Sequence, residues 1–181
     1  MRIEPLKLPG TFKVILDPRK DERGYFMRTF DKAVFAAQGL GNDWVQENQS
    51  YSIRNVVRGL HFQRPPHSEA KLVRVLAGKM VDVFVDLRRR SPTYGGWDSI
   101  ELSAENHTAV YIPRGFAHGF CTPDSEALIA YKVDSPYTPS AEGGLLWCDP
   151  DLKIDWPVKD PLTSPKDGQW PMFGDFLSPF E

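Results

Sequence analysis

Cysteine is scarce in this sequence of 181 residues. Cys121 and Cys148 are the only two, too few for a disulfide framework and not in CxxC spacing. Long apolar runs are missing as well. The longest, Ala33–Ala37 and Ala127–Tyr131, have five residues, against the roughly 20 that a membrane helix needs. Nor does Met1-Arg-Ile-Glu-Pro5 lead into the apolar stretch of a signal peptide. Neither sign of charge dominates: 22 Lys and Arg face 24 Asp and Glu, a net charge of −2, so no global basic field favours nucleic acid. GxGxxG, GxxxxGK[ST] and GxSxG are all absent, which removes the common nucleotide-cradling and serine-nucleophile motifs. Histidine occurs four times, at His61, His67, His107 and His118, with no two separated by one residue; a three-His metal site is poorly supported. What is left is expected to be a cytoplasmic protein with neither a membrane nor a nucleic-acid partner. It is expected to form a single domain over residues 1–181, long enough to bury a core without disulfides or metal.

What is present is a chain broken often by 14 Gly and 16 Pro, with short β-type runs between the breaks. In Lys79–Leu87, Val81, Val83, Val85 and Leu87 share one face and Asp82, Phe84 and Asp86 the other, an alternation of period two. Lys71–Leu76, Trp97–Leu102, Thr108–Ile112 and Ala127–Val133 read the same way. Strands at this spacing predict an all-β sandwich or barrel rather than βαβ units. One short helix is expected near the N-terminus, capped by Asp31, with Ala33, Val34 and Ala37 on one side and Gly39 ending it. From residue 155 onward five prolines rule out a regular element, while Trp156, Trp170, Phe173, Phe176 and Phe180 make the segment too aromatic for disorder. It is expected to lie irregularly against the β-body, where it could donate a side chain to a site. Arg88–Arg90, three residues long, reads as a solvated turn.

Three constellations could carry chemistry. In Arg58-Gly-Leu-His-Phe-Gln63 an extended backbone would put His61 and Gln63 on one face and Leu60 and Phe62 on the other; Lys71 follows at the head of an apolar run. Spacing alone leaves His61 equally readable as a hydrogen-bonded strand histidine with no role. Pro113-Arg-Gly-Phe-Ala-His118 has the PxGxxH form that recurs in cupin-type jelly rolls, where the His points inward. Without an HxH pair, His118 is better read as an interior hydrogen-bonding residue than as a metal ligand. On the strand Ala127–Val133, Tyr131 falls on the mostly apolar side. A phenol there needs a partner or a ligand, although such a residue is more often plain core.

Taken together these segments resemble the dTDP-4-dehydrorhamnose 3,5-epimerase family of nucleotide-sugar epimerases. The resemblance runs from Asp21-Glu-Arg-Gly-Tyr-Phe26 to Ser164-Pro-Lys-Asp167 and includes Gln46-Glu-Asn48, Arg58–Gln63, Lys71-Leu-Val-Arg74, Ile112–Phe120, Tyr131-Lys132 and Glu142-Gly143. It implies a cupin-like jelly-roll β-barrel, usually a homodimer, working without metal or organic cofactor on a nucleotide-diphosphate sugar. By resemblance His61 is the general base, Asp167 the carboxylate behind it, Lys71 the residue near the substrate ketone and Tyr131 the proton donor on the opposite side of the sugar. Arg23, Phe26, Gln46, Asn48, Arg58, His118, Glu142 and Lys166 match substrate-binding positions. Arg28 stands where the family pattern has Glu, and Glu47 where Asp is more usual.

The implied reaction inverts C3, C5 or both in a 4-keto-6-deoxyhexose, by removing a proton next to the C4 carbonyl and returning one to the other face. Histidine suits the base because its ordinary pKa, about 6.5, lies near working pH. Three other readings stand beside this one. They are a metal-dependent cupin enzyme, a mono-epimerase acting on another nucleotide sugar such as a CDP-linked one, and a sugar-nucleotide-binding cupin without catalysis.

Overall fold

The computed structural model describes residues 1–41 and 43–181. In chain order the strands are β1 (Arg2–Pro5), β2 (Phe12–Ile15), β3 (Arg19–Asp21) and β4 (Gly24–Phe26), followed by the helix α1 (Lys32–Ala37). Then come β5 (Gln46–Ser52), β6 (Val57–Gln63), β7 (Lys71–Asp86), β8 (Trp97–Ser103), β9 (Thr108–Ile112), β10 (Phe116–Cys121), β11 (Ala127–Val133) and β12 (Glu142–Gly144). The fold is thus nearly all-β with one short helix.

The two runs read separately at Lys71–Leu76 and Lys79–Leu87 form one 16-residue strand, β7. Gly78 joins them at a φ of 73°, a left-handed conformation that glycine takes without strain. A side chain there would meet the Glu126 carbonyl. Two antiparallel sheets share this strand. Its first half lies between β9 and β11 in the order β1-β2-β9-β7-β11-β5, and its second half between β8 and β10 in the order β8-β7-β10-β6-β12. The hairpin β3–β4 stands apart from both.

The main core lies between the sheets, drawing Val73 and Val75, Met80 and Phe84, Leu102, Val110, Phe116, Phe120 and Ile129 from both. The period-two alternation in β7 therefore separates two buried faces. Val83, Val85 and Leu87 face outward under the C-terminal segment, where Phe176 and Phe180 pack on Phe62, with ring centroids 5.6 Å apart in each case. Residues 155–181 contain one short 3-10 turn, Phe173–Asp175, and no paired strand. The outer face of the first sheet is covered by α1 and its neighbours.

In α1, Asp31 Oδ1 accepts from the Ala33 and Val34 amides at 3.1 and 3.4 Å, and Gly39, at φ 67°, follows the last turn. The side that Ala33, Val34 and Ala37 were expected to share is not the buried one. Ala33 and Ala37 are exposed, and Phe35 is the fully buried residue, packed edge-on against Trp44 and Tyr111. One large ring fills this short contact better than three small side chains. The reading of Arg88 as a solvated turn is also corrected, because its guanidinium pairs with the buried Asp86 at 2.7 Å.

Candidate active site

β6 contributes His61 to the space between the sheets because Leu60 and Phe62, on the opposite face, are buried under the C-terminal segment. His61 Nε2 lies 2.6 Å from Asp167 Oδ1; the imidazole is about one-third exposed and the carboxylate almost wholly enclosed. Asp167 is 106 residues away in sequence. Its segment is held by a parallel bridge between Leu162 and Val56 and by Asn55, whose amide donates to the carbonyls of Lys159 and Asp160 at 3.1 and 3.2 Å. Burial raises the Asp167 pKa, but hydrogen bonds from His61 and the Gly59 amide, with the His61 charge, outweigh it and hold the carboxyl below its ordinary value. With Nε2 engaged, Nδ1 is the nitrogen available to take a proton.

Lys71 and Tyr131 come from the other sheet. Lys71 opens β7 and lies 3.3 Å from Glu69, both side chains largely buried. Tyr131 sits mid-β11, opposite Asn48 of β5 on one side and Val73 of β7 on the other. Burial, then the nearby Glu69 charge, push its phenol pKa up against the opposing pull of Arg58. Imidazole and phenol therefore stand on opposite walls of one space.

Three cavities meet at His61. One of about 350 Å³ is lined by Gln46, Asn48, Lys71, Tyr131 and Glu142. A deeper one of about 220 Å³ reaches Arg58, Lys71, His118 and Tyr131. The third, about 460 Å³, runs past Arg58, Glu142, Lys166 and Asp167. Lys166 is 2.6 Å from Glu142. Burial would raise the Glu142 pKa, yet hydrogen bonds from Lys166 and Tyr137 leave it lowered. Arg58 donates to Ser52 Oγ at 3.0 Å and to the Tyr51 carbonyl at 3.2 Å. The Arg58 fork and the Lys166 ammonium, beside the hydroxyls of Ser52 and Thr163, are donors suited to a diphosphate. Among the described residues no group of three His, Cys, Asp or Glu side chains is arranged to hold a metal ion.

Comparison with known proteins identifies the family to which this arrangement belongs. A profile described as dTDP-4-dehydrorhamnose 3,5-epimerase matches residues 5–175. The chain belongs to the dTDP-4-dehydrorhamnose 3,5-epimerase family. It is 48% identical over 162 residues to the dTDP-4-dehydrorhamnose 3,5-epimerase of Methanothermobacter thermautotrophicus, covering 87% of each chain. The crystal structure of the Elizabethkingia anophelis enzyme of that name superposes with a TM-score of 0.93 at 40% identity, covering 97% of each chain. The Bacillus anthracis enzyme, solved with TDP and PPi bound, gives a TM-score of 0.91 at 39% identity, covering 94% of this chain and 98% of that one.

Ten of the residues aligned with family roles line the cavities at His61. Arg23 and Phe26 do not. Both lie exposed on the β3–β4 hairpin, where Arg23 pairs with Asp21 at 2.6 Å. Arg28, the departure from the epimerase pattern, pairs with the helix-capping Asp31 at 3.0 Å.

Four further residues meet the site without having been read as site residues from the sequence. Tyr137 lines the 350 Å³ cavity and donates its hydroxyl to Glu142 at 2.9 Å. Glu69 accepts from Gln63 at 3.1 Å as well as pairing with Lys71. Trp170 meets the His61 ring edge-on at 6.4 Å, over Gly144, which has no Cβ to obstruct it. Asp82 lies 2.8 Å from His118. Two of these left a trace in the sequence: Trp170 belongs to the aromatic segment expected to lie against the β-body, and the β7 alternation sets Asp82 on the face of Phe84, where a carboxylate needs a partner.

Proposed function

We propose that this chain inverts C3 and C5 of a dTDP-linked 4-keto-6-deoxyhexose, dTDP-4-keto-6-deoxyglucose, by proton removal next to the C4 ketone and reprotonation from the opposite face. The observation that carries this reading is the division of groups between two walls: His61 with its enclosed carboxylate on one, Lys71 and Tyr131 on the other. His61 Nδ1 takes the proton from carbon, and Asp167 stabilises the imidazolium that forms. Lys71 donates to the oxygen at C4 as it gains charge; removing a donor of this kind costs roughly 10²–10³ in rate. Tyr131, kept neutral by burial, delivers the proton on the far face. No atom changes oxidation state between sugar and epimer, so the step balances with a proton out and a proton in. Gln46, Asn48, Arg58, His118, Glu142 and Lys166 bind the substrate.

The finer architecture belongs to the same proposal. The two sheets form a cupin-like jelly roll, and residues 1–181 act as one domain with an irregular, aromatic-rich C-terminal segment. The protein works in the cytoplasm as a homodimer. Support for the dimer comes from Arg23 and Phe26, family binding positions exposed on a hairpin away from His61; a second copy offers them a cavity to complete. Light scattering at micromolar concentration checks it, and a monomer with full activity would overturn it.

Proton NMR in deuterated water tests the reaction. With dTDP-4-keto-6-deoxyglucose, deuterium should enter at both C3 and C5 alongside the inverted product. Exchange at one centre only would make the chain a mono-epimerase. A silent spectrum would remove this substrate.

A further inference from the structure

Three polar centres of the cavities have a carboxylate behind them: Asp167 for His61, Glu69 for Lys71 and Asp82 for His118. The third pair has no part in the steps above. Asp82 lies in the second half of β7, on the inward face with Met80 and Phe84, and its side chain is wholly enclosed. Its Oδ2 is 2.8 Å from His118 Nε2. Its Oδ1 is enclosed with no hydrogen-bond partner among the described residues. A half-satisfied carboxylate among Met80, Phe84 and Phe120 is costly, and an apolar side chain would pack there more easily.

His118 faces the 220 Å³ cavity with His61, Lys71 and Tyr131. It pairs across the strands with His61, β10 to β6. Its Nδ1 has no partner among the described residues, and it is not one of the enclosed unpartnered atoms, so it opens on the cavity.

We propose that Asp82 is a positioning residue: it holds the His118 ring with Nε2–H on the carboxylate and presents the Nδ1 lone pair to a hydroxyl of the bound sugar. The proposal rests on the epimerase reading of this site. Its chemistry separates two tasks. Lys71, a donor only, serves the oxygen at C4, while His118 accepts from a hydroxyl at C2 or C3 and does not compete for the ketone. A site built to pair a substrate hydroxyl discriminates against sugars lacking it, because the buried acceptor is then left unmatched. The carboxylate fixes which nitrogen carries the proton, as the hydrogen bond at one ring nitrogen sets the role of the other.

Long-range proton–nitrogen correlation spectra of ¹⁵N-histidine-labelled protein test the pair without substrate. The His118 ring should carry its proton on Nε2 alone in the native chain and lose that single tautomer in Asp82→Asn. A native ring protonated on Nδ1 would overturn the proposal, and this readout stands even if the variant does not fold. In kinetics, Asp82→Asn should lower kcat/KM for dTDP-4-keto-6-deoxyglucose about tenfold to a hundredfold. One of the two analogues lacking the C2 or the C3 hydroxyl should show no further loss from the substitution. A change under about twofold on the parent sugar, or an equal loss on all three sugars, would overturn it. Native protein that turns over none of these sugars would strike the epimerase reading instead, and the spectrum separates the two failures.

Discussion

His61 Nε2 and Asp167 Oδ1 stand 2.6 Å apart, and the second oxygen of Asp167 takes the Gly59 amide at 3.4 Å. Burial opposes the Asp167 charge, but these hydrogen bonds prevail and the carboxyl pKa is lowered. A carboxyl depressed in the folded state contributes stability that is fully present above the unfolded value, about 3.9, and is lost as pH falls through the folded value. The stability gap between the native chain and Asp167→Asn should therefore be widest near neutral pH and close below about pH 4. Urea denaturation at pH 7 and pH 3 checks this; an equal gap at both would remove the charge from the account. Turnover of Asp167→Asn at neutral pH should fall by about 10²–10⁴ through loss of the His61 tautomer.

Tyr131→Phe should separate two events that the native enzyme performs together. His61 still removes a proton and returns one to the same face, so deuterium continues to enter the sugar within about tenfold of the native rate, while inversion drops by about 10²-fold or more. Exchange and inversion falling in parallel would show that Tyr131 does not supply the opposite-face proton. Because burial pushes the Tyr131 phenol upward, the native inversion rate should hold through mildly alkaline pH. A loss setting in below pH 9 would argue for a different donor.

How much of this was legible in the sequence depended on the range of the interaction. The Asp31 cap and the strands Thr108–Ile112 and Ala127–Val133 could be read directly, since capping and period two are local. β7 was read as two strands because Gly78 looks like a break, whereas its positive φ turns the chain between sheets that only tertiary pairing reveals. Phe35 was overlooked because a six-residue helix is too short for periodicity to choose its buried side. Asp167 was reachable only through family resemblance, since no spacing rule spans 106 residues. Glu69 and Asp82 were passed over for the reverse reason. An acidic residue reads as solvated until its cationic or imidazole partner is known: Asp82 meets His118 only across 36 residues, and Lys71, two residues from Glu69, was read toward the substrate ketone instead.

Gly59 should tolerate no side chain. Its φ is 139°, and a Cβ there would sit 2.6 Å from the Gly119 Cα and 3.2 Å from the His118 carbonyl oxygen. Both obstacles are backbone, so relief requires β6 to move away from β10. Gly59→Ala should destabilise the protein by about 2–4 kcal/mol. Molecules that do fold should be less active than the native enzyme, because the same displacement parts His61 from His118 across the strands. Chemical denaturation with activity per folded molecule measures both effects; a change under about 1 kcal/mol would mean the strands separate more readily than this contact implies.

Asp86 provides a stability test away from the reaction. Its side chain is wholly enclosed, yet it accepts from Arg88 Nε and Nη2 at 2.8 and 2.7 Å, from Ser91 Oγ at 2.5 Å and from Thr93 Oγ1 at 2.7 Å. Burial raises its pKa most, but Arg88, Ser91 and Thr93 together outweigh burial and the pKa is lowered. The network ties the end of β7 to the Ser91–Gly95 turn, whose Gly95 amide returns to the Asp86 carbonyl at 2.8 Å. Asp86→Asn keeps the shape but leaves Arg88 without its counter-charge. Breaking a buried pair from one side costs about 3–5 kcal/mol, and since the Arg88 side chain is 27% exposed, water offsets part of that and about 2–4 kcal/mol is expected. The depressed carboxyl gives this contribution the same sign with pH as at Asp167: present above about pH 4 and lost as pH falls through the folded value. Activity per folded molecule should stay within about twofold of native, because Asp86 and Lys71 occupy opposite ends of β7 and the Asp86 network does not line the cavities at His61. A large loss of turnover at unchanged stability would mean that the far end of β7 is coupled to the chemistry.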